Sequence, residues 1–592
     1  MSKETLCTFV SHSIAVAFVG AAVMLPMAAF AAIWQGGAEG DIKTPANWDG
    51  DITTTGMNFT KDVAIVLTQG VDAVTFRPWG AGTKSSAAYQ NATVTFDMGG
   101  HTLWATEGTT QSLNGNSYST WIFTNGVFRC TNGTEANAAT NIICDTGTGV
   151  GMSVIVSGAD TTFIGSPQIQ GLNRFCVING AKAYGQNFYL SGSNTTSGFM
   201  TNVISSGASV CFDTRFYVGT YSDNAGSYQN QKWHDALTIV DNATLTSMSP
   251  STRGGLAVGY GQCAHDNTLV ATNGAKIYAY NFYLGYGVAT NNIFKATGAD
   301  TEVRFYGPYT AVGGTDNSHA ASGNSFILEK GAKATANVLY VAAGGSGTNN
   351  LLSIRSGATM TASTAIGLGM LNNTIYGKRG RIEVVGEGSK LTQGNGNQNF
   401  IIGNHNADVA DAHELFVCDG GSVDAYNLRF YGNGNKIVLS NGTVNVKTAF
   451  YPHGRTTVRE AANSVVHIEG SSSKMTVAGL VDSDTTTGIL AGAPICEFVI
   501  PEGGWTSAPF VVKEAFTISD DTRIRIDEDS ARAYAKQGGG MVPLFSTDST
   551  SKAIAADLAK LSIGLPKNCS LTNESGVLSV KITKPGLVLF VR

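Results

Sequence analysis

The sequence predicts an all-β protein whose main part is a right-handed parallel β-helix (β-solenoid). Three observations support this fold class: a turn-and-strand phrase that recurs along the chain, a high glycine content, and few charged residues. Of the 592 residues, 72 are glycine and 14% are charged, which favours many short strands joined by tight turns. The apolar fraction of 43% is too high for a disordered chain.

The phrase is clearest at residues 273–287. An Asn-Gly-Ala turn is followed there by a short alternating run, an asparagine, and a second apolar run that ends in glycine. The turn recurs at a mean spacing of about 28 residues, the length expected for one solenoid coil. Its positions are Gly158, Gly180, Gly207, Asn242, Gly274, Gly298, Gly331, Gly357, Gly388, Gly420, Gly442 and Gly470. One such coil buries too few side chains to offset its ordering entropy, so we expect main-chain pairing between stacked coils.

A recurring asparagine precedes the second apolar run of several units. The residues concerned are Asn187, Asn281, Asn337 and Asn427. Asparagine tolerates left-handed backbone conformations, and stacked asparagine side chains can form hydrogen bonds along a ladder. We therefore expect these four residues to shape the bends of the coils.

In chain order, residues 1–31 are predicted to be a cleaved secretory signal. Lys3 precedes a long apolar run, and Ala29-Phe30-Ala31 has the small-x-small pattern of a cleavage site. A membrane anchor is the alternative interpretation of this run. No other segment is apolar over a helical membrane span, so the mature chain is expected to contain no transmembrane helix.

The next segment, residues 32–55, contains Ile33-Trp34-Gln35-Gly36-Gly37 and then Asn47-Trp48. This pattern resembles the opening of bacterial secreted proteins with autotransporter-associated β-strand repeats. The resemblance implies a secreted solenoid located outside the cell or on the surface of a bacterium. We expect the two tryptophans to cap the open end of the β-structure.

Residues 56–482 are assigned to the solenoid and residues 483–592 to a separate C-terminal β-rich domain. The second region is expected to contain one short helix, Ser551–Leu561, and a last strand at Leu587–Val591. It is too short for the membrane barrel that ends an autotransporter.

Charge and cysteine content exclude several function classes. The net charge is −5 and the chain has no basic run, so no nucleic-acid partner is expected. The sequence has no Cys-x-x-Cys pair, and neither a metal site nor a cofactor is predicted. Cys130 and Cys144 are close enough in sequence to form a disulfide bond. Four others are expected to fill interior positions: Cys176, Cys211, Cys263 and Cys418.

A line of tyrosines is the candidate ligand-binding feature. Tyr189, Tyr217, Tyr283 and Tyr340 each lie between two apolar neighbours, so they are expected to face outward and to stack into an exposed aromatic stripe. Such a stripe can bind the flat apolar faces of glycan rings. The alternative is an aromatic ladder that only stiffens the sheet.

Histidines and aspartates supply a weaker, catalytic alternative. His234 with Asp235 and His265 with Asp266 are expected on neighbouring loops, without a nucleophile or oxyanion motif beside them. A denser polar group, expected to be a solvated loop, comprises His405, Asp408, Asp411, His413 and Glu414.

The sequence thus favours a secreted or cell-surface structural, adhesin-like protein without catalytic activity. Its expected partners are glycans or components of the extracellular matrix or cell envelope. The alternative is a polysaccharide lyase or glycoside hydrolase, which requires the following residues to converge in one cleft: His234, Asp235, His265, Asp266, Asp408 and Asp411.

Overall fold

The computed structural model describes most of the chain from residue 31 to residue 584. The described residues are 31–34, 46, 48–49, 63–67, 70–74, 93–105, 110–112, 120–130, 141–144, 153–169, 173–190, 200–219, 233–234, 236–247, 255–261, 264–314, 320–345, 347–369, 377–394, 398–403, 412–452, 463–481, 487–491 and 494–584. The predicted signal lies outside them except for Ala31, and so do His405, Asp408, Asp411, Asp235, Cys263 and the strand expected at Leu587–Val591.

The chain winds in coils, and each coil passes through two long sheets. In one coil, strand Thr268–Thr272 lies in sheet 1, while Lys276–Ala279 and Phe282–Gly287 lie in sheet 2. Each strand pairs in parallel with its counterpart in the next coil. The predicted fold class, a parallel β-solenoid, is therefore confirmed.

Within the described residues, sheet 1 contains 19 strands. They are Ala31–Trp34, Trp48–Asp49, Val63–Val66, Thr93–Asp97, Thr120–Thr124, Ser153–Ser157, Arg174–Ile178, Met200–Ser205, Ala236–Asp241, Thr268–Thr272, Ile293–Thr297, Ser325–Glu329, Leu351–Arg355, Arg381–Val385, Glu414–Cys418, Lys436–Ser440, Val465–Glu469, Ile495–Val499 and Arg523–Ile526.

In the part of the chain that the structure describes, sheet 2 contains 26 strands. They are Val71–Val74, Thr102–Ala105, Thr110–Ser112, Val127–Cys130, Asn141–Cys144, Thr162–Ile164, Ser166–Ile169, Lys182–Leu190, Ser209–Val218, Thr244–Ser247, Gly255–Gly261, Lys276–Ala279, Phe282–Gly287, Glu302–Phe305, Thr310–Val312, Lys333–Val341, Thr359–Leu368, Lys390–Gln393, Phe400–Gly403, Ser422–Tyr431, Thr443–Tyr451, Lys474–Leu480, Phe510–Val512, Gly540–Thr547, Cys569–Glu574 and Val577–Ile582.

Sheet 2 has two halves, here called proximal and distal, because most coils cross it twice. Some coils do so with one long strand, such as Lys182–Leu190, whose register shifts between Gly185 and Asn187. Other coils use two separate strands. Each complete coil therefore has three strand positions: sheet 1, the proximal half and the distal half.

Two small sheets and two helices complete the described structure. Trp233–His234 pairs with Ala264–His265, and a three-stranded sheet contains Ile489–Leu490, Phe516–Ile518 and Ile554–Ala556. Helix α1 spans Glu528–Lys536 and helix α2 spans Leu558–Leu561. Neither described helix has the length and apolar character that crossing a membrane requires.

The core lies between the sheets and is continuous along the coils. Inward residues alternate with outward ones along each strand, as in Ile293–Thr297, where Phe294 and Ala296 are buried. Their side chains form one apolar cluster that extends from Ile65 to Ile582. Aromatic rings stack within it, with the centroids of Phe282 and Phe305 at 4.5 Å. This stacking is why a coil depends on its neighbours for burial.

A ladder of four asparagines stands at the corner before sheet 1. The side-chain amide of Asn267 donates to Oδ1 of Asn292 at 3.0 Å, Asn292 donates to Asn324 at 2.9 Å, and Asn324 donates to Asn350 at 3.0 Å. Each acceptor oxygen also receives the backbone N–H of the asparagine before it. All four are fully buried, so the ladder satisfies polar groups that burial would otherwise leave unpaired.

These are different asparagines from those that the sequence pattern selected. None of the four selected asparagines has a positive φ, so the prediction that they adopt left-handed conformations is wrong; they are Asn187, Asn281, Asn337 and Asn427. Three of them lie at or between the register shifts that bend sheet 2. The left-handed asparagines precede the turn glycines or the ladder instead, as Asn273 at φ 52° and Asn291 at φ 57° do.

Glycines with positive φ make room for the ladder. A Cβ atom on Gly285 (φ 75°) would lie 2.3 Å from Nδ2 of Asn324, and one on Gly259 (φ 71°) would lie 2.3 Å from the amide of Asn292. The glycine of the apolar-x-apolar-Gly phrase is therefore required, because a side chain at that position would clash with the adjoining ladder.

The N-terminal end begins with an antiparallel pair. Ala31–Trp34 pairs in parallel with Val63–Val66 and antiparallel with Trp48–Asp49, which places Trp34 opposite Trp48. The two tryptophans of the 32–55 segment are thus cross-strand neighbours at the first strand of sheet 1.

At the C-terminal end, both sheets continue into the region that the sequence assigned to a separate domain. Ile495–Val499 extends sheet 1 from Val465–Glu469, and Phe510–Val512 extends sheet 2 from Lys474–Leu480. The final strands, Gly540–Thr547, Cys569–Glu574 and Val577–Ile582, then pair antiparallel. Pairing needs only strand geometry, so the coils continue after the turn phrase has ended.

The helix expected at Ser551–Leu561 is shorter than predicted. Residues Ile554–Ala556 form a strand, and only Leu558–Leu561 is helical, with Asp557 as its N-cap. The longer helix, Glu528–Lys536, was not expected. Its start carries an ordinary capping signal, because Asp527 accepts the N–H of Ser530.

Candidate binding surface

The four tyrosines selected from the sequence lie in one register column on the distal half of sheet 2. Tyr189 pairs with Tyr217, and the column continues through Ala257, Tyr283, Ala311 and Tyr340. The structure therefore places them on successive or alternate coils. Their alignment follows from the constant register of parallel strands.

Three further tyrosines fill the gaps in this column. Tyr260 stacks on Tyr217 and on Tyr286, with ring centroids 4.4 Å apart in both pairs. Tyr309 lies 6.4 Å from Tyr283. The small side chains of Ala257 and Ala311 leave the space that these rings occupy. We call this group of seven the tyrosine cluster: Tyr189, Tyr217, Tyr260, Tyr283, Tyr286, Tyr309 and Tyr340.

The tyrosine cluster is separate from the main core, but it is not the exposed stripe that the sequence suggested. Tyr217 is 1% exposed, and Tyr189 and Tyr283 are also buried. Tyr340 is half-buried, as are Tyr260, Tyr286 and Tyr309. The expectation of full exposure is wrong because neighbouring tyrosine rings cover one another.

Burial also determines the chemistry of the phenols. It raises the pKa of Tyr283, and the neighbouring Tyr286 and Tyr309 add to that rise. Burial likewise raises the pKa of Tyr340. Arg215 donates from Nη1 to the hydroxyl oxygen of Tyr189 at 3.1 Å. The cluster thus presents neutral phenols, which offer apolar ring surface together with hydroxyl groups.

The sequence missed the three added tyrosines because they lie outside the recurring slot. Tyr260 and Tyr286 follow the glycine of the apolar-x-apolar-Gly phrase, two residues after the apolar run, and they occupy one register position. A Gly-Tyr step at the same place in two successive coils was the signal that could have identified them.

The two histidine pairs expected on neighbouring loops do belong to adjacent coils. His234 lies opposite His265 in the small two-stranded sheet. Nδ1 of His265 is 2.6 Å from Oγ1 of Thr290 in the next coil, and Asp266 is an exposed left-handed residue. The structure brings His234 and His265 together in register, whereas Asp235, Asp408 and Asp411 lie outside the described residues.

His413 is not part of a solvated loop, so that expectation is wrong for this residue. It occupies the corner position of the asparagine ladder, where its Nδ1 accepts the N–H of Gly380 at 3.0 Å and its own N–H donates to Asn435 at 3.2 Å. Burial lowers the pKa of the imidazole to about 4, against a smaller opposing effect of the Gly377 backbone. Glu414 begins the adjacent strand of sheet 1.

Within the described ranges, no three His, Cys, Asp or Glu side chains come together in a group that could hold a metal ion. The cysteines also differ from expectation: Cys176 and Cys211 occupy outward, half-buried positions, while Cys418 is buried. The strands that carry Cys130 and Cys144 do not pair with each other.

Comparison of the chain with protein-family models, curated proteins and solved structures finds no match.

Proposed function

We propose that this protein is a secreted or cell-surface bacterial solenoid with a structural, adhesin-like role, and that its tyrosine cluster binds glycans. The observation that carries the proposal is the collection of seven tyrosines on one face, outside the main core. An aromatic ladder that only stiffens the sheet would also stack its rings between coils, so the partial exposure of four of the seven tyrosines is what favours a binding surface.

Four half-buried rings supply the contact surface. Tyr260, Tyr286, Tyr309 and Tyr340 each expose part of the ring, and the 4.4 Å stacking of Tyr260 on Tyr286 holds two of them nearly parallel, at 4°. A tyrosine combines an apolar ring with a hydroxyl group, which matches the apolar face and the hydroxyl rim of a sugar ring.

The cellular location rests on the sequence features. The apolar N-terminal run with its cleavage pattern and the Trp-x-Gly-Gly opening support secretion. The pairing of Trp34 with Trp48 at the first strand is compatible with the capping role expected for the two tryptophans.

A binding screen tests the proposal. The purified mature chain is presented with neutral glycans and matrix proteins, and the Tyr286→Ala/Tyr309→Ala double variant is compared with it. We expect the double variant to bind neutral glycans at least tenfold more weakly. The matched control is Tyr426→Ala, because Tyr426 is also half-buried but lies outside the cluster.

Two results would contradict the proposal. One is retention of full affinity by the double variant. The other is release of unsaturated or reducing sugars from a polysaccharide, which would favour the lyase or hydrolase alternative. The register pairing of His234 with His265 is the observation that keeps that alternative worth assaying.

A further inference from the structure

The outward side of the proximal half of sheet 2 carries a column of lysines. In the twelve consecutive coils from Thr162 to Lys474, the first outward residue after the turn occupies the same register slot, and in five of these coils it is lysine. In chain order the slot contains Thr162, Lys182, Ser209, Thr244, Lys276, Glu302, Lys333, Thr359, Lys390, Ser422, Thr443 and Lys474. All other members except Glu302 carry a hydroxyl group.

The next outward slot of the same strands is rich in hydroxyl groups and aromatic rings. Thr335, Thr361 and Thr392 are direct neighbours in three successive coils. Tyr184 lies in this slot and is 41% exposed, and Tyr306, which follows the strand Glu302–Phe305, is 54% exposed. We call the two slots and Tyr306 the lysine face.

The lysine face is basic although the whole chain has a net charge of −5. The two slots contain five lysines and Arg304 but only two carboxylates, so positive charge remains after ion pairing. Glu302 pairs with Arg304 and Lys276, and Asp424 lies 2.7 Å from Lys390, so Lys276 and Lys390 are each partly neutralised. In the part of the chain that the structure describes, Lys182, Lys333 and Lys474 have no carboxylate within ion-pair distance.

Sheet 1 shows the contrast. Its outward charges form networks, as where Glu329 accepts from both Lys295 and Arg355 at 2.7 and 2.8 Å. The turns beside the lysine face do carry exposed acids, namely Asp160, Asp300, Glu387 and Asp419. The unopposed positive charge is therefore centred on Lys333, with Lys330 in the turn of the same coil.

The spacing of the lysines limits the class of partner. Lys276, Lys333 and Lys390 occupy every second coil, so they repeat about every 9.5 Å along the axis, given a strand separation of about 4.8 Å. Duplex nucleic acid carries one charge per about 1.7 Å, far denser than this column. A linear polymer with widely spaced anionic groups fits better.

We propose that the lysine face binds a linear anionic polysaccharide that lies along the solenoid axis. The lysine ammonium groups pair with its carboxylate or sulfate groups, the threonine hydroxyls form hydrogen bonds with its sugar hydroxyls, and the exposed rings of Tyr184 and Tyr306 pack against sugar faces. This inference rests on the proposed function as a glycan-binding solenoid, but it uses a different face and a charged ligand.

The experiment measures binding of the mature chain to polygalacturonate and to chondroitin sulfate by calorimetry at low and at physiological salt. We expect binding that weakens as salt rises. The Lys276→Gln/Lys333→Gln/Lys390→Gln variant should bind at least tenfold more weakly. The control triple Lys436→Gln/Lys536→Gln/Lys581→Gln makes the same charge change at exposed positions outside the face and should stay within about twofold of the unsubstituted chain.

A second triple, Lys182→Gln/Lys333→Gln/Lys474→Gln, breaks no ion pair among the described residues, and circular dichroism should show an unchanged fold. The inference is overturned if neither polymer binds, or if both lysine-face variants keep full affinity. Equal weakening by the control triple, or equally tight binding of duplex DNA, would also overturn it, because either result means unspecific charge attraction. Neutral-glycan binding by the tyrosine cluster is measured separately, so the two proposals can fail independently.

Discussion

The asparagine ladder gives the sharpest test of what holds the coils together. Asn324 is fully buried. It accepts from the side chain and the backbone of Asn292 at 2.9 and 3.1 Å, and it donates to Asn350 and to the carbonyl of Ala289 at 3.0 and 3.3 Å. The substitution Asn324→Asp keeps the shape and the two accepted bonds but replaces the donating amide with oxygen.

The magnitude follows from the two lost bonds. Each contributes about 1 kcal/mol net, and a carboxylate placed against two acceptor oxygens adds about 1–3 kcal/mol. We therefore expect the free energy of unfolding to fall by about 3–5 kcal/mol at pH 7. Burial raises the pKa of such an aspartate above its unfolded value of about 3.9. The loss should thus shrink to about 1 kcal/mol at pH 4, where the protonated acid can donate one bond again.

The assay is urea denaturation followed by far-ultraviolet circular dichroism at pH 7 and pH 4, each referred to the unsubstituted chain at the same pH. Hydrogen exchange in the flanking coils reports the local loss, because solenoid stability depends mainly on nearest neighbours. Asn349→Asp is the matched control, since Asn349 is exposed, left-handed and adjacent to the ladder. Equal stability of the two variants at pH 7, or a loss that does not depend on pH, would refute the role assigned to the ladder.

Three more predictions concern single positions. His413 has a folded pKa of about 4 against about 6.5 unfolded, so up to about 3 kcal/mol of stability should be lost as pH falls from 6.5 to 4. The variant His413→Asn keeps an acceptor for the N–H of Gly380 but does not titrate. Its denaturation midpoint should therefore fall less over this pH range than that of the unsubstituted chain. Gly285→Ala should cost at least about 2 kcal/mol more than Gly207→Ala, because both glycines have positive φ but only Gly285 faces a clash; equal thermal midpoints would contradict this. Burial raises the pKa of Glu329, but the hydrogen bonds from Lys295 and Arg355 outweigh it, so the pKa is lowered overall. Glu329→Gln should therefore lower the free energy of unfolding at pH 7 by about 1–2 kcal/mol. The difference in stability between the variant and the unsubstituted chain should vanish once acid has protonated Glu329.

Sequence periodicity predicted the coils and the alignment of four tyrosines, because equivalent positions of parallel strands in constant register lie in one column. The four residues are Tyr189, Tyr217, Tyr283 and Tyr340. Periodicity could not predict how deeply those rings are buried, since Tyr260 and Tyr309 reach the column from positions outside the slot. Burial of an outward side chain depends on its lateral neighbours, and one strand pattern does not contain them.

The asparagines show a second limit. Two sets of recurring asparagines were present, and only the set at Asn267, Asn292, Asn324 and Asn350 stacks. Its members are separated by 25, 32 and 26 residues, because the connections between strands differ in length. The register that aligns them is a property of paired backbones, so spacing alone did not distinguish the ladder from residues that only bend sheet 2.

The predicted boundary at residue 482 coincides with the end of the recurring turn-and-strand phrase. Parallel pairing nevertheless continues from Val465–Glu469 to Ile495–Val499 and on to Arg523–Ile526. A coil can turn without glycine when a longer connection provides the change of direction. The sequence also contains a signal for the lysine face, because Lys182, Lys276 and Lys333 each follow a Gly-Ala pair. That these lysines lie in one column on one face of sheet 2 follows only from the register of the strands.

The equal register of consecutive coils affects how such a protein can change length over evolution. Ile293 is paired with Ser325, and Asn292 with Asn324, so excision of residues 293–324 as a block would join two chain ends that occupy equivalent places. Every later residue would keep its side chain on the same face of the sheet. Insertion of a single residue within a strand would instead move the core-facing side chains of the rest of that strand to the solvent face. Genes of this kind are therefore free to gain or lose whole windings, while small insertions are confined to the connections.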